Sequence, residues 1–103
     1  MDYKIVFHPR AEQELVELYD YIRANANPER AQAFLAGIRD CCLGLATFPK
    51  RGSIRDDIMA GVRIIGYRRS VSIAFAVTSD SVVILGVFYG GRDITADLLQ
   101  NRD

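Results

Sequence analysis

The feature that most constrains the fold is a change of hydrophobic period part-way along the chain. Between Pro9 and Leu45 the apolar side chains recur every three or four residues: Ala11, Leu15, Leu18 and Ile22, then, after Asn27-Pro28, Ala31, Phe34, Ile38, Cys41 or Cys42, and Leu45. From Gly61 onward the period is two. A helix collects every third or fourth side chain on one face and a strand every second, so the two halves must be built from different elements.

The first stripe is backed by Glu12, Glu14, Glu17 and Asp20 and follows Pro9, a residue tolerated in the first turn of a helix. It predicts an amphipathic helix of about 15 residues ending near Asn25. Asn27-Pro28-Glu29 then supplies a cap, a proline at the first helical position and an acid in the first turn, so a second helix starts at once. A link this short favours an antiparallel hairpin with both stripes on one surface. Phe48-Pro49 closes the second helix, and 50–60 reads as a polar connection.

Tyr3, Ile5 and Phe7 alternate with Lys4, Val6 and His8 as a short strand that Pro9 ends, and His8 reads as structural, through capping or packing. The runs 62–67, 70–78 and 82–89 are β-rich and separated by Arg68-Arg69 and by Ser79-Asp80-Ser81, which predicts an antiparallel meander. The expected fold is therefore α+β, in the order β-α-α-β-β-β, with the helical hairpin on one face of the sheet. All 103 residues are read as one domain, with a core over about 3–93 and a polar tail over 94–103 that begins a short helix around 94–99.

Val71, Ile73, Phe75 and Val77 lie on one side of their strand, and Ser70, Ser72, Ala74, Ala76 and Thr78 on the other. If the following turn keeps an even offset, Val82, Ile84, Gly86 and Phe88 join the bulky, helix-facing side. Val83, Leu85, Val87 and Tyr89 then fall on the opposite face, which a single helical hairpin cannot cover. That face is expected to be a groove for a partner, and a charge at Leu85 to be buried only in the complex.

Lys and Arg number 13 and so do Asp and Glu, which gives no long-range pull toward a polyanion. The segment 50–69 is locally basic, with Lys50, Arg51, Arg55, Arg63, Arg68 and Arg69 against Asp56 and Asp57. No apolar run approaches the roughly 20 residues that cross a bilayer, and no signal-peptide core is present, so a cytoplasmic protein without membrane contact is expected. Cys41 and Cys42 are adjacent in a helical pattern, where neighbouring side chains diverge by about 100°, and are expected as reduced thiols rather than as a disulfide or a metal site.

The chain resembles the ParE branch of the ParE/RelE toxin superfamily. The likeness is carried by Pro9-Arg10-Ala11, Leu18-Tyr19-Asp20-Tyr21-Ile22, Pro28-Glu29-Arg30-Ala31, Phe34, Ile38, Leu45, Phe48-Pro49 and Gly52. It continues with Gly61-Val62-Arg63, Ser72-Ile73-Ala74-Phe75, and the run from Val82 to Gly90-Gly91-Arg92-Asp93. The resemblance spans about residues 3–93. It implies a toxin held by a co-encoded ParD-like antitoxin that alone contacts operator DNA, and DNA gyrase as the target. Ala74, Ala76, Val83, Leu85 and Val87 are expected to bind the antitoxin, and Arg63, Arg68, Arg69, Tyr89, Arg92 and Asp93 to face the target.

The alternative within the superfamily is a RelE-like ribosome-dependent endoribonuclease. Cleavage of RNA needs a base for the 2'-hydroxyl, cations for the phosphorane and an acid for the leaving oxygen. Arg63, Tyr89 and Arg92 are the candidates, with Tyr89 standing where ParE-like chains commonly carry histidine. The lysine-rich set typical of RelE-like enzymes is missing, since Lys50 is the last lysine after Lys4. A gyrase inhibitor without chemistry of its own, needing no cofactor or metal, is therefore preferred; a non-toxic antitoxin-binding module is the third reading.

Overall fold

The computed structural model describes residues 2–91 and 93–102. The elements are β1 (Lys4–Phe7), α1 (Pro9–Asn25), α2 (Pro28–Leu43), β2 (Ser53–Ile54), β3 (Val62–Tyr67), β4 (Val71–Val77), β5 (Ser81–Tyr89) and α3 (Ala96–Leu99), with a 3-10 turn at Gly44–Ala46 prolonging α2. The caps are local and follow from residue type. His8 precedes α1 and its Nδ1 accepts from the Arg10 N–H at 3.0 Å; Asn27 precedes α2 and its side chain accepts from the Arg30 N–H at 2.8 Å.

The sheet has the order β1-β5-β4-β3-β2. β3, β4 and β5 form the expected antiparallel meander, but β1 pairs with β5 in parallel, Lys4 opposite Ser81 through Phe7 opposite Ile84. At its end His8 donates its N–H to the Ile84 carbonyl, so the chain leaves the sheet edge and turns straight into α1. The segment 50–60 is more than a connection: Ser53 and Ile54 pair with Ile64 and Arg63 as a fifth strand. Gly52, at φ 75°, permits this approach, because a Cβ there would run into the Ile64 backbone.

The main core lies between the hairpin and the sheet, with Leu15, Leu18, Leu35 and Ile38 against Ile73, Phe75, Val82 and Ile84. Each fully buried aliphatic or aromatic side chain there is worth roughly 1.5–3 kcal/mol. The face assignment from alternation holds as far as Leu85 and fails from Gly86 on. Phe75 pairs with Ile84 but Ala74 pairs with Gly86, so Leu85 is an extra residue, a β-bulge. Beyond it the parity reverses. Val87 and Tyr89 pair with Ile73 and Val71 on the helix side, while Gly86 and Phe88, opposite Ala74 and Ser72, lie on the other face.

That other face is not bare. A second apolar cluster forms on it from Ile58, Val62, Ala74, Leu85, Phe88 and Leu99, with Ile94 and Leu98 packed against them. Leu85 is only 2 % exposed in the free chain, and Leu99 is fully buried. The segment 94–102 is thus a strap laid back over the sheet rather than a polar tail, and the expectation that a charge at Leu85 meets a buried environment only in a complex is corrected.

Candidate functional site

The strap is anchored by a buried charge. Arg102 is 1 % exposed, and its guanidinium donates to Glu14 Oε1 at 3.0 Å and to the Leu85 carbonyl at 3.1 Å while lying over the Phe88 ring. Glu14 Oε1 also accepts the Val87 N–H at 3.0 Å. β1 has ended at Phe7, so no strand reaches this part of the outer edge of β5; the carboxylate and the guanidinium satisfy its backbone groups instead. Beside them a cleft of about 420 Å3 opens between α1, the end of β5 and α3, with Arg10, Glu17 and Tyr21 on its wall.

A second constellation forms where the hairpin linker meets the end of the sheet. The Tyr21 and Tyr89 rings lie 5.7 Å apart, Phe34 meets Tyr67 edge-on at 5.4 Å, and Phe34 lies 6.3 Å from Tyr89. Tyr67 can pack close to α2 because residue 37 is glycine: a Cβ there would overlap its hydroxyl. Arg30 and Arg68 rim a hollow of about 390 Å3 at this end, with Ile22, Ala26 and Phe34 in its lining.

Comparison with known families identifies the chain. The sequence matches the family "ParE toxin of type II toxin-antitoxin system, parDE" over residues 5–94. The chain belongs to the ParE toxin family. Solved structures agree on the fold. A chromosomal ParDE toxin-antitoxin system from P. aeruginosa aligns with a TM-score of 0.75 at 22% identity, covering 85% of this chain and 96% of that one. The toxin-antitoxin complex RelBE2 from Mycobacterium tuberculosis aligns with a TM-score of 0.61 at 21% identity, covering 86% and 99%. Among curated proteins no sequence matches significantly.

In this ParE chain the residues expected at the site are dispersed. Of the five expected in the antitoxin groove, Ala74, Ala76, Val83 and Leu85 share the open face, but Ala74 and Leu85 are already covered by the chain itself. Val87 lies on the helix side, moved there by the bulge, and is corrected. Of the target-facing set, Arg68, Arg69 and Tyr89 are exposed at the aromatic end. Arg63 sits opposite Phe75 and Ile54, four residues along β4 from the Val71 that pairs with Tyr89. At about 3.3 Å per residue and about 4.8 Å per strand, the Cα atoms of Arg63 and Tyr89 stand on the order of 16 Å apart. Asp93 is exposed and makes no ion pair with Arg63 among the described residues, and Arg92 lies outside them.

Other charges are already engaged. Arg55 is paired with Asp57 at 3.1 Å, and the hydrogen bond from Arg55 holds the Asp57 carboxyl below its ordinary range. Glu14, Arg102, Arg30, Tyr67 and Tyr21 were not among the expected site residues, although Tyr21 is 53 % exposed and meets Tyr89. Gly86 inside an apolar strand was the available sign of the bulge.

Proposed function

We propose that this ParE-family toxin is neutralised in the cytoplasm by a ParD-like antitoxin and, when free, inhibits DNA gyrase by binding it rather than by a reaction of its own. Operator DNA is reached only through the antitoxin. The observation that supports binding over catalysis is the spacing of the candidates: the Cα atoms of Arg63 and Tyr89 stand on the order of 16 Å apart across the sheet, so the two do not form a compact cluster, and the Nδ1 of His8 is engaged as a helix cap. The family match and the fold shared with toxins of ParDE and RelBE systems support an antitoxin partner.

The antitoxin is assigned to the open sheet face, around Ala76 and Val83, which remain partly exposed, with Ala74 and Leu85 beneath. The target is assigned to the aromatic end, with Arg68, Arg69 and Tyr89; Asp93 and, on the family resemblance alone, Arg92 are kept as further contacts, and Arg63, on the far part of β3, contributes only to a broad contact.

The test is inducible expression with and without the co-encoded antitoxin. Arrested division with a DNA-damage response, relieved by the antitoxin, is expected. Harmless expression, or cut messages on translating ribosomes with undamaged DNA, would overturn the reading.

A further inference from the structure

Arg68 and Arg69 occupy the two central positions of the β3–β4 turn, and both lie in the left-handed region, at φ 50° and 60°. The turn is closed by the Ser70 N–H donating to the Tyr67 carbonyl at 3.2 Å. Asn-Gly is the relaxed occupant of such a turn, whereas an L residue with a long side chain is strained at each position. Strain of this kind is an observation from which function can be inferred. Its result here is two adjacent guanidinium groups at an exposed tip, that of Arg68 lying 5.5 Å from the centre of the Tyr67 ring.

Arg68 also lines the hollow of about 390 Å3, together with Arg30, Ile22, Ala26, Phe34 and Tyr89. No carboxylate is among its lining residues. The site therefore offers aromatic and aliphatic surface beside three exposed arginines, Arg30, Arg68 and Arg69. A ligand that matches must carry a planar apolar group and an anion a few ångströms from it.

We propose that this end of the molecule binds a single-stranded nucleic acid, one base entering the hollow against Tyr89 and Phe34 while adjoining phosphates meet Arg30, Arg68 and Arg69. A stacked duplex cannot present a base to such a wall, whereas an unpaired strand can, and stacking on tyrosine is tolerant of sequence. An acidic peptide without aromatic side chains would satisfy the arginines but leave the ring surface unused. With equal numbers of basic and acidic residues overall, the chain has no long-range attraction to nucleic acid, so the contact is short-ranged and weak unless a larger complex presents the strand. The assignment shares Arg68, Arg69 and Tyr89 with the surface proposed to meet gyrase but does not depend on that reading: its failure leaves the antitoxin and gyrase experiments untouched.

The full-length toxin is titrated against a fluorescein-labelled oligothymidylate by fluorescence anisotropy. Binding is expected at low salt, with log affinity falling against log salt at a slope of about −2 if three phosphates are neutralised. Arg68→Asn with Arg69→Gly should weaken it at least ~10-fold while raising the Tm by several degrees, at roughly 4–8 °C per kcal/mol for a domain this size, because the turn relaxes. Tyr89→Ala should weaken it about tenfold through lost stacking. Absence of binding at low salt, wild-type affinity in the double variant, or equal competition by a polyglutamate peptide would each overturn the proposal.

Discussion

One oxygen of Glu14, on α1, accepts at 3.0 Å from both the Val87 backbone and the Arg102 guanidinium, and so fastens the far end of the chain to the strand that the helix covers. The contact spans 88 residues. The same guanidinium holds the carbonyl of Leu85, the extra residue of the bulge, so the irregular part of β5 and the strap above it are stabilised by one ion pair.

Because Arg102 is almost wholly buried, removing its partner should leave an uncompensated charge. Glu14→Ala is expected to lower stability by about 3 kcal/mol, whereas Glu14→Ala combined with Arg102→Met should recover most of the loss. Urea denaturation measures both, and a Glu14→Ala protein as stable as the wild type would refute the role given to this pair.

Gly86 leaves the room that Arg102 occupies. A Cβ at that position would stand 2.6 Å from both the Arg102 guanidinium and the Phe88 ring. Gly86→Ala is therefore expected to cost about 1–3 kcal/mol and to loosen the strap. Amide exchange over 95–102 should become markedly faster, while the helical hairpin keeps its protection; unchanged exchange in the strap would contradict the packing described.

The two sides of the antitoxin question separate at neighbouring positions. Leu85 is buried in the free chain, so Leu85→Glu should destabilise the toxin itself. Val83 is on the same face but partly exposed. Val83→Glu should leave the Tm within a few degrees and weaken antitoxin binding at least ~10-fold by calorimetry; unchanged affinity in a folded Val83→Glu protein would move the interface elsewhere.

Burial, reinforced by the neighbouring Cys41, pushes the Cys42 thiol up to about 12, above its ordinary value of 9.0, and only the Arg39 charge acts the other way. Both cysteines are free. A folded-state value above the unfolded one favours the native state fully below pH 9 and is lost as pH rises from 9 toward 12, at up to about 1.4 kcal/mol per pH unit. Stability should fall over that window more steeply than in Cys42→Ala, and the Cys42 thiol should resist alkylation at pH 8 until the protein unfolds. Parallel pH profiles of the two proteins would contradict this.

Much of the fold was legible because its determinants are local. The caps at His8 and Asn27, the paired stripes and the split of bulky from small residues along β4 each lie within a few positions of their effect. The bulge was not, because 82–89 is apolar on both sides and alternation carries no information there; only Gly86 marked it. The strap escaped for a different reason: Ile94, Leu98 and Leu99 are too few to show a period, and the acid that holds Arg102 lies on the first helix. The aromatic end draws Tyr21, Phe34, Tyr67 and Tyr89 from four elements, which no single stretch of sequence displays.

The most direct measurement is the supercoiling of relaxed plasmid by purified DNA gyrase with the toxin added in increasing amounts, with and without its antitoxin. Loss of supercoiling with accumulation of cleaved DNA, reversed by stoichiometric antitoxin, is the predicted result. Normal supercoiling in excess toxin that still arrests growth would contradict gyrase as the target.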